Sequence, residues 1–160
     1  MKVSFAALEP DAKLVLSTMT GIDYIGIDMG EWFCCTARRG DTVLGVLACE
    51  PKTAFDYHFN IALPDHRCLH PRLMHAVFKA LFSTAARVSA HIDPANERAC
   101  MQAQKLGFVY EGFLRRGLDG VRDAAIFGML PEDCFWLIPP KHHRKIRREG
   151  VHHGISTQTS

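Results

Sequence analysis

The feature that constrains this chain most is a change of hydrophobic period that occurs twice between Phe55 and Gly107. Phe55 to Leu63 alternates strictly, with Tyr57, Phe59, Ile61 and Leu63 on one face and Asp56, His58 and Asn60 on the other. That is the period of a strand. Pro64 ends it. From Pro71 onward, Leu73, Met74, Val77, Leu81 and Phe82 recur at helical spacing, and Pro71 suits the first helical position, where its missing N–H costs nothing. The pattern then repeats. Arg87 to Ile92 reads as a short strand, Asp93-Pro94 breaks it, Asn96 can cap a helix running to Leu106, and Gly107 suits its stop. Two strand–helix units in succession predict a locally parallel portion of sheet.

The flanking segments predict antiparallel company for it. Met1 to Leu8 can hold a short first strand, and Asp11 to Met19 a helix with Leu14, Val15 and Met19 on its apolar side. Glu31 to Arg38 and Thr42 to Glu50 read as a hairpin turned at Gly40-Asp41. Val109 to Arg115 and Ala124 to Leu130, joined through Asp119-Gly120, close the chain with a second hairpin. The expected fold class is α/β (α+β): a single domain over residues 1–138 with a mixed sheet and flanking helices.

Composition supports one globular domain. The 160 residues are 48% apolar and 22% charged, which excludes wholesale disorder. The net charge of +2 conceals two unlike parts. Residues 139–160 hold Lys141, Arg144, Lys145, Arg147 and Arg148 against Glu149, a balance of +4, so the first 138 residues balance at −2. This basic C-terminal tail follows Pro139-Pro140 and contains no aromatic residue. It favours a polyanionic or acidic protein partner over sequence-specific nucleic-acid reading.

The six cysteines, Cys34, Cys35, Cys49, Cys68, Cys100 and Cys134, form no C-x-x-C pair. No apolar h-region follows Met1, so reduced thiols in a cytoplasmic protein are expected. No apolar run approaches the ~20 residues of a membrane span. His66, Cys68, His70 and His75 form the one dense group of metal-ligand types, but no second cluster completes a tetrahedral site, and no metal is expected.

Within this framework, Asn96-x-x-Ala99-x-x-x-Ala103-Gln104-Lys105-Leu106-Gly107-Phe108 followed by Glu111-Gly112-Phe113-Leu114-Arg115 resembles the second half of a GNAT-fold N-acetyltransferase. Arg122-Asp123, Phe127-Gly128-Met129-Leu130 and Glu132 are similar to the branch that acetylates N-terminal amines of ribosomal proteins. The hairpin Arg39 to Gly45 resembles the family's second and third strands. The resemblance covers roughly residues 1–136 and has no counterpart for the tail.

The resemblance implies acetyl-CoA as co-substrate and direct transfer of its acetyl group to a primary amine, either a protein N-terminus or a small amine. It implies that the fourth and fifth strands splay apart and that pantetheine lies between them, along the backbone of Ile61, Ala62 and Leu63. The family cradles pyrophosphate with [Q/R]-x-x-G-x-[G/A] at the next helix start, where N–H groups and the dipole favour anions. Here that segment is Arg67-Cys68-Leu69-His70-Pro71-Arg72, then Leu73. Arg67 fits, but His70 and Arg72 replace the small residues and Pro71 removes a donor. His66, Arg67, His70 and Arg72 compensate in cationic groups. Asn96 matches the family's asparagine after the fifth strand, as a cofactor contact, an N-cap or both.

Proton transfer has four candidates. A polar face on a central strand suggests a cleft, and there His58 has the ordinary imidazole pKa suited to a base near neutrality. Asp56 or Glu50 would serve only with a raised pKa. No hydroxyl occupies the helix between Asn96 and Gly107, and Tyr110 is the nearest phenol for the departing thiolate. The expectation is an acetyl-CoA-dependent N-acetyltransferase. The alternative is a catalytically degenerate domain of the same fold that serves as a structural or binding module, in a phage or other large assembly, anchored by its basic tail.

Overall fold

A computed structural model describes residues 1–140; the basic run from Lys141 lies outside the described residues. The strands are β1 (Lys2–Ser4), β2 (Phe33–Arg39), β3 (Thr42–Pro51), β4 (Asp56–Ala62), β5 (Arg87–Ile92), β6 (Val109–Leu114) and β7 (Ala124–Met129). The helices are α1 (Pro10–Thr20), α2 (Pro71–Leu81) and α3 (Glu97–Leu106). One seven-stranded sheet runs in the order β1-β2-β3-β4-β5-β7-β6. Every neighbouring pair is antiparallel except β4 and β5. That exception is the crossover carried by α2, as the repeated change of period requires.

The helices take opposite faces. Met74, Val77, Phe78 and Leu81 of α2 and Ala103 and Leu106 of α3 pack with Cys35, Leu47, Phe59, Val88, Ala90 and Phe127 in one core. Phe59 anchors it, stacked on Phe78 at 6.1 Å and edge-on to Phe108 at 5.1 Å. Phe78 is fully buried, although the expected stripe of α2 ran through Leu73 and Phe82, which are only partly covered.

On the other face, Ala12 and Leu16 of α1 cover Cys34, Val46, Ala48 and Ala62. The expected apolar side of α1 is corrected here, since Leu14 and Met19 are half exposed and Ala12 and Leu16 face the sheet. The sheet surface offers alanine-sized relief at Ala48 and Ala62, so a small residue of the helix makes the close contact. α1 packs chiefly on β3 and β4, with Cys34 of β2 beside them, on the half of the sheet away from β7 and β6.

The chain beyond β7 staples the two helices of the main core. Trp136 donates its indole N–H to the Leu106 carbonyl at 2.7 Å, and its own carbonyl lies 2.7 Å from His75 Nδ1 on α2. Gly107, at φ 103°, ends α3 in the left-handed conformation, with Phe135 packed 3.4 Å from where a Cβ would stand.

None of the six cysteines is in a disulfide, and five are buried. Burial pushes the Cys35 thiol up to about 12 and the Cys134 thiol to about 11, so they behave as small apolar side chains. No helix of the described residues is long and apolar enough to cross a membrane.

Candidate active site

The site is built where β4 and β5 part. Their parallel pairing covers Asp56↔Arg87, Tyr57↔Val88 and His58↔Ser89, and then stops. Both strands continue, β4 to Ala62 and β5 to Ile92, each paired only with its outer neighbour. A gap therefore opens beyond His58 and Ser89. Backbone groups that face it lack a strand partner, which is the condition under which an extended ligand adds itself to a sheet.

The mouth of this gap carries polar side chains on the face that α1 leaves open. His58 lies edge-on to His91, with ring centroids 4.5 Å apart. His58 Nδ1 is buried without a partner. Burial first, and then the neighbouring His91 and Lys52, push the His58 imidazole down to about 4. The expectation of an ordinary imidazole is thereby corrected: His58 is neutral at pH 7 by a wide margin, because desolvation disfavours its cation. Burial lowers His91 as well.

Asp56 Oδ2 accepts from Ser89 Oγ at 3.2 Å and lies 3.6 Å from Arg87 Nε, while its Oδ1 is buried without a partner. Arg87 also reaches from β5 across β7 to form a two-pronged ion pair with Glu111 on β6, which holds that carboxyl below its usual range. Glu111 is the extra residue of the irregularity between Tyr110 and Gly112 in β6. It arches over Gly128, where a Cβ would run into its carboxylate. Glu50, opposite His58 across β3, pairs with Lys52 at 2.5 Å.

One residue further along the same face, Asn60 Oδ1 accepts from the Tyr24 hydroxyl at 2.9 Å, and Asn60 Nδ2 donates to the His58 carbonyl at 3.3 Å. Burial, followed by the charge of Glu50, raises Tyr24 to about 12, so it stays protonated.

The structure gathers Asp56 and His58 at the gap and does not bring Tyr110 there. Tyr110 packs edge-on against Phe127 at 5.6 Å. Phe127 belongs to the α2–α3 core, so Tyr110 sits on the opposite face of the sheet, on edge strand β6, with β7 and β5 between it and β4. The alternation of β6 decides this, and the sequence order conceals it.

Ile61 and Leu63 turn their side chains toward the α2 side and Ala62 toward α1, which leaves their backbone along the gap. The segment before α2 makes its own polar contacts. Asp65 accepts from the Arg67 backbone at 2.9 Å and holds its guanidinium at 2.6 Å, which draws the Asp65 carboxyl down to about 2. His70 caps α2, its Nδ1 accepting from Arg72 N–H at 3.2 Å. With Pro71 lacking a donor, Leu73 retains the remaining first-turn N–H. Cys68 is buried and Leu69 partly buried against the sheet. Asn96 caps α3, its Oδ1 accepting from Ala99 N–H at 3.1 Å.

Arg98, in the first turn of α3, lies 3.3 Å from His66 Nε2. Among the described residues no group of three or more side chains could hold a metal ion.

Sequence reasoning missed four polar partners. Arg87, Ser89 and His91 alternate as Asp56, His58 and Asn60 do, a signal that was present. Tyr24 lies in the loop between α1 and β2, where no periodicity points to it.

At the level of sequence, neither a family model nor a curated protein matches the chain. Solved structures do match in fold. A GNAT family acetyltransferase from Elizabethkingia anophelis with acetyl-CoA bound is 14% identical over 81% of this chain and 97% of its own, with a TM-score of 0.63. A Bacillus subtilis acetyltransferase in complex with CoA is 18% identical over 81% and 97%, at 0.60. A ribosomal-protein-S5-alanine acetyltransferase from Vibrio fischeri is 19% identical over 64% of this chain and 63% of its own, at 0.52. The chain thus spans a little under two thirds of that last protein. The architecture is that of the GNAT acetyltransferases.

Proposed function

We propose that this chain is an N-acetyltransferase that passes the acetyl group of acetyl-CoA to a primary amine, a protein N-terminus or a small amine, by direct attack. The observation that carries this reading is the parting of β4 and β5 after His58↔Ser89, with a neutral, unpartnered imidazole at its mouth. The thioester would lie in the gap along the backbone of Ile61, Ala62 and Leu63. The Arg67–Leu73 segment and Asn96 would flank the rest of the co-substrate.

His58 would take the proton that the amine loses, directly or through water. Its low pKa keeps it free to accept at neutral pH, and the charge of Asp56 two residues earlier would stabilise the imidazolium. The nitrogen–carbon bond forms, the carbon–sulfur bond breaks, and the thiolate leaves with the electron pair. Tyr110 is too far across the sheet to protonate it, so solvent would do so. Residues 1–138 would form the enzyme domain, in the reducing cytoplasm that six free thiols suit. The tail at 139–160 would engage a polyanionic or acidic protein partner.

The second reading, a structural or binding module, is favoured by one observation: side chains of the chain itself occupy Arg67 and the Arg72 N–H, where the phosphates would bind. Calorimetry with acetyl-CoA, followed by release of free thiol on adding amines, tests the choice. Saturable binding with turnover supports the enzyme; no heat at millimolar acetyl-CoA leaves the module.

A further inference from the structure

Asn60 is fixed in one orientation by two unlike neighbours. The His58 carbonyl can only accept, so the Asn60 atom 3.3 Å from it must be the amide nitrogen. The amide oxygen then faces Tyr24, and the hydroxyl there must donate. Tyr24 is itself rigid: it is 3% exposed, its ring is edge-on to Trp32, and its backbone N–H is held by Ser17 Oγ at 2.9 Å. One amide hydrogen of Asn60 is thereby used, and the second has no partner among the described residues. It sits on β4 two positions beyond the last residue paired to β5, at the mouth of the gap.

We propose that this spare Asn60 N–H binds the thioester carbonyl oxygen as negative charge develops on it, with Tyr24 as the positioning residue that prevents the amide from flipping. The inference rests on the reading of the gap as the acetyl-CoA site. When the amine nitrogen bonds to the carbonyl carbon, the C=O π pair moves onto oxygen and Asn60 Nδ2 donates to it. When that pair reforms C=O, the carbon–sulfur bond breaks and the pair departs with sulfur. Asn60 neither gains nor loses a proton. A donor held in place beforehand stabilises the transition state more than the ground state.

The test compares the full chain with Asn60→Ala, Asn60→Asp and Tyr24→Phe. Asn60→Asp keeps an acceptor for the Tyr24 hydroxyl and removes the N–H, which separates the donor from the fold. Turnover is read together with the infrared carbonyl band of bound acetyl-CoA labelled with 13C at the carbonyl. The expected result is a drop in kcat of about 10²-fold for both Asn60 variants, with the KM for acetyl-CoA changed by less than about twofold. The carbonyl band, shifted to lower frequency in the parent chain, returns toward its free value in these variants and broadens in Tyr24→Phe. A parent chain that binds and turns over acetyl-CoA, with Asn60→Ala and Asn60→Asp keeping both its kcat and its band position, overturns the role of Asn60 alone. A parent chain that binds no acetyl-CoA overturns the acetyltransferase reading and this inference with it.

Discussion

His58 and His91 meet edge to face, with ring centroids 4.5 Å apart, at the place where β4 and β5 stop pairing. Two imidazoles this close, both partly withdrawn from water, cannot readily both be charged; burial and then His91 hold His58 down, and burial lowers His91.

The pH dependence of stability follows from that contact. The folded His58 titrates at about 4 and the unfolded one at about 6.5, so between these values the unfolded chain binds more protons. Stability is fully present above about pH 6.5 and is lost as pH falls toward 4, by roughly 2–3 kcal/mol from this residue. Denaturant titrations at pH 7, 5.5 and 4.5 check this. His58→Leu should flatten the acid side of the curve. An unchanged acid side would place the titration elsewhere.

A second prediction concerns the packing beneath α2. A Cβ on Gly45 would stand 2.7 Å from Cys68 Sγ and 3.4 Å from Leu63. Gly45→Ala should destabilise the fold by about 1–3 kcal/mol through overpacking. Removing the sulfur in the pair Gly45→Ala with Cys68→Ala should recover part of that loss relative to the two single changes. A double-mutant cycle in urea measures the coupling.

A third concerns the closing staple. Trp136→Phe keeps an aromatic ring, though a smaller one, and deletes the indole N–H that serves the Leu106 carbonyl. The expected cost is about 1–2 kcal/mol, with faster amide exchange in the last turn of α3.

A fourth concerns Arg67, in the segment before α2. Asp65 holds Arg67 with paired hydrogen bonds. Asp65→Ala removes a negative charge and releases the guanidinium, so acetyl-CoA should bind several-fold tighter at low salt, the gain shrinking as salt rises. Affinity that is unchanged or weaker at low salt would place the phosphates away from Arg67.

Much of this architecture was legible beforehand because it rests on local chemistry. Pro71 and Gly107 mark helix ends by what their backbones can do and Asn96 by what its side chain can accept, and β5 spans the residues that its flanking breaks enclose. Asp56 and His58 were legible as a polar face on an interior strand. The rest depended on relations that no local pattern contains. The parity of β6 sends Tyr110 to the far face, the depth of the cleft moves the His58 pKa, and Tyr24 arrives at Asn60 from 36 residues away. On α1, Leu14 and Met19 stay exposed while Ala12 and Leu16 are buried, because the direction in which the helix lies on the sheet decides which stripe is covered.

The central claim is that the space between β4 and β5 receives acetyl-CoA. Residue-resolved amide hydrogen exchange with and without acetyl-CoA tests it most directly. The account predicts that amides of residues 59–62 slow on binding by about tenfold or more, while those of β1 and β2 do not change. Acetyl-CoA at millimolar concentration with no change in exchange at residues 59–62 would contradict it.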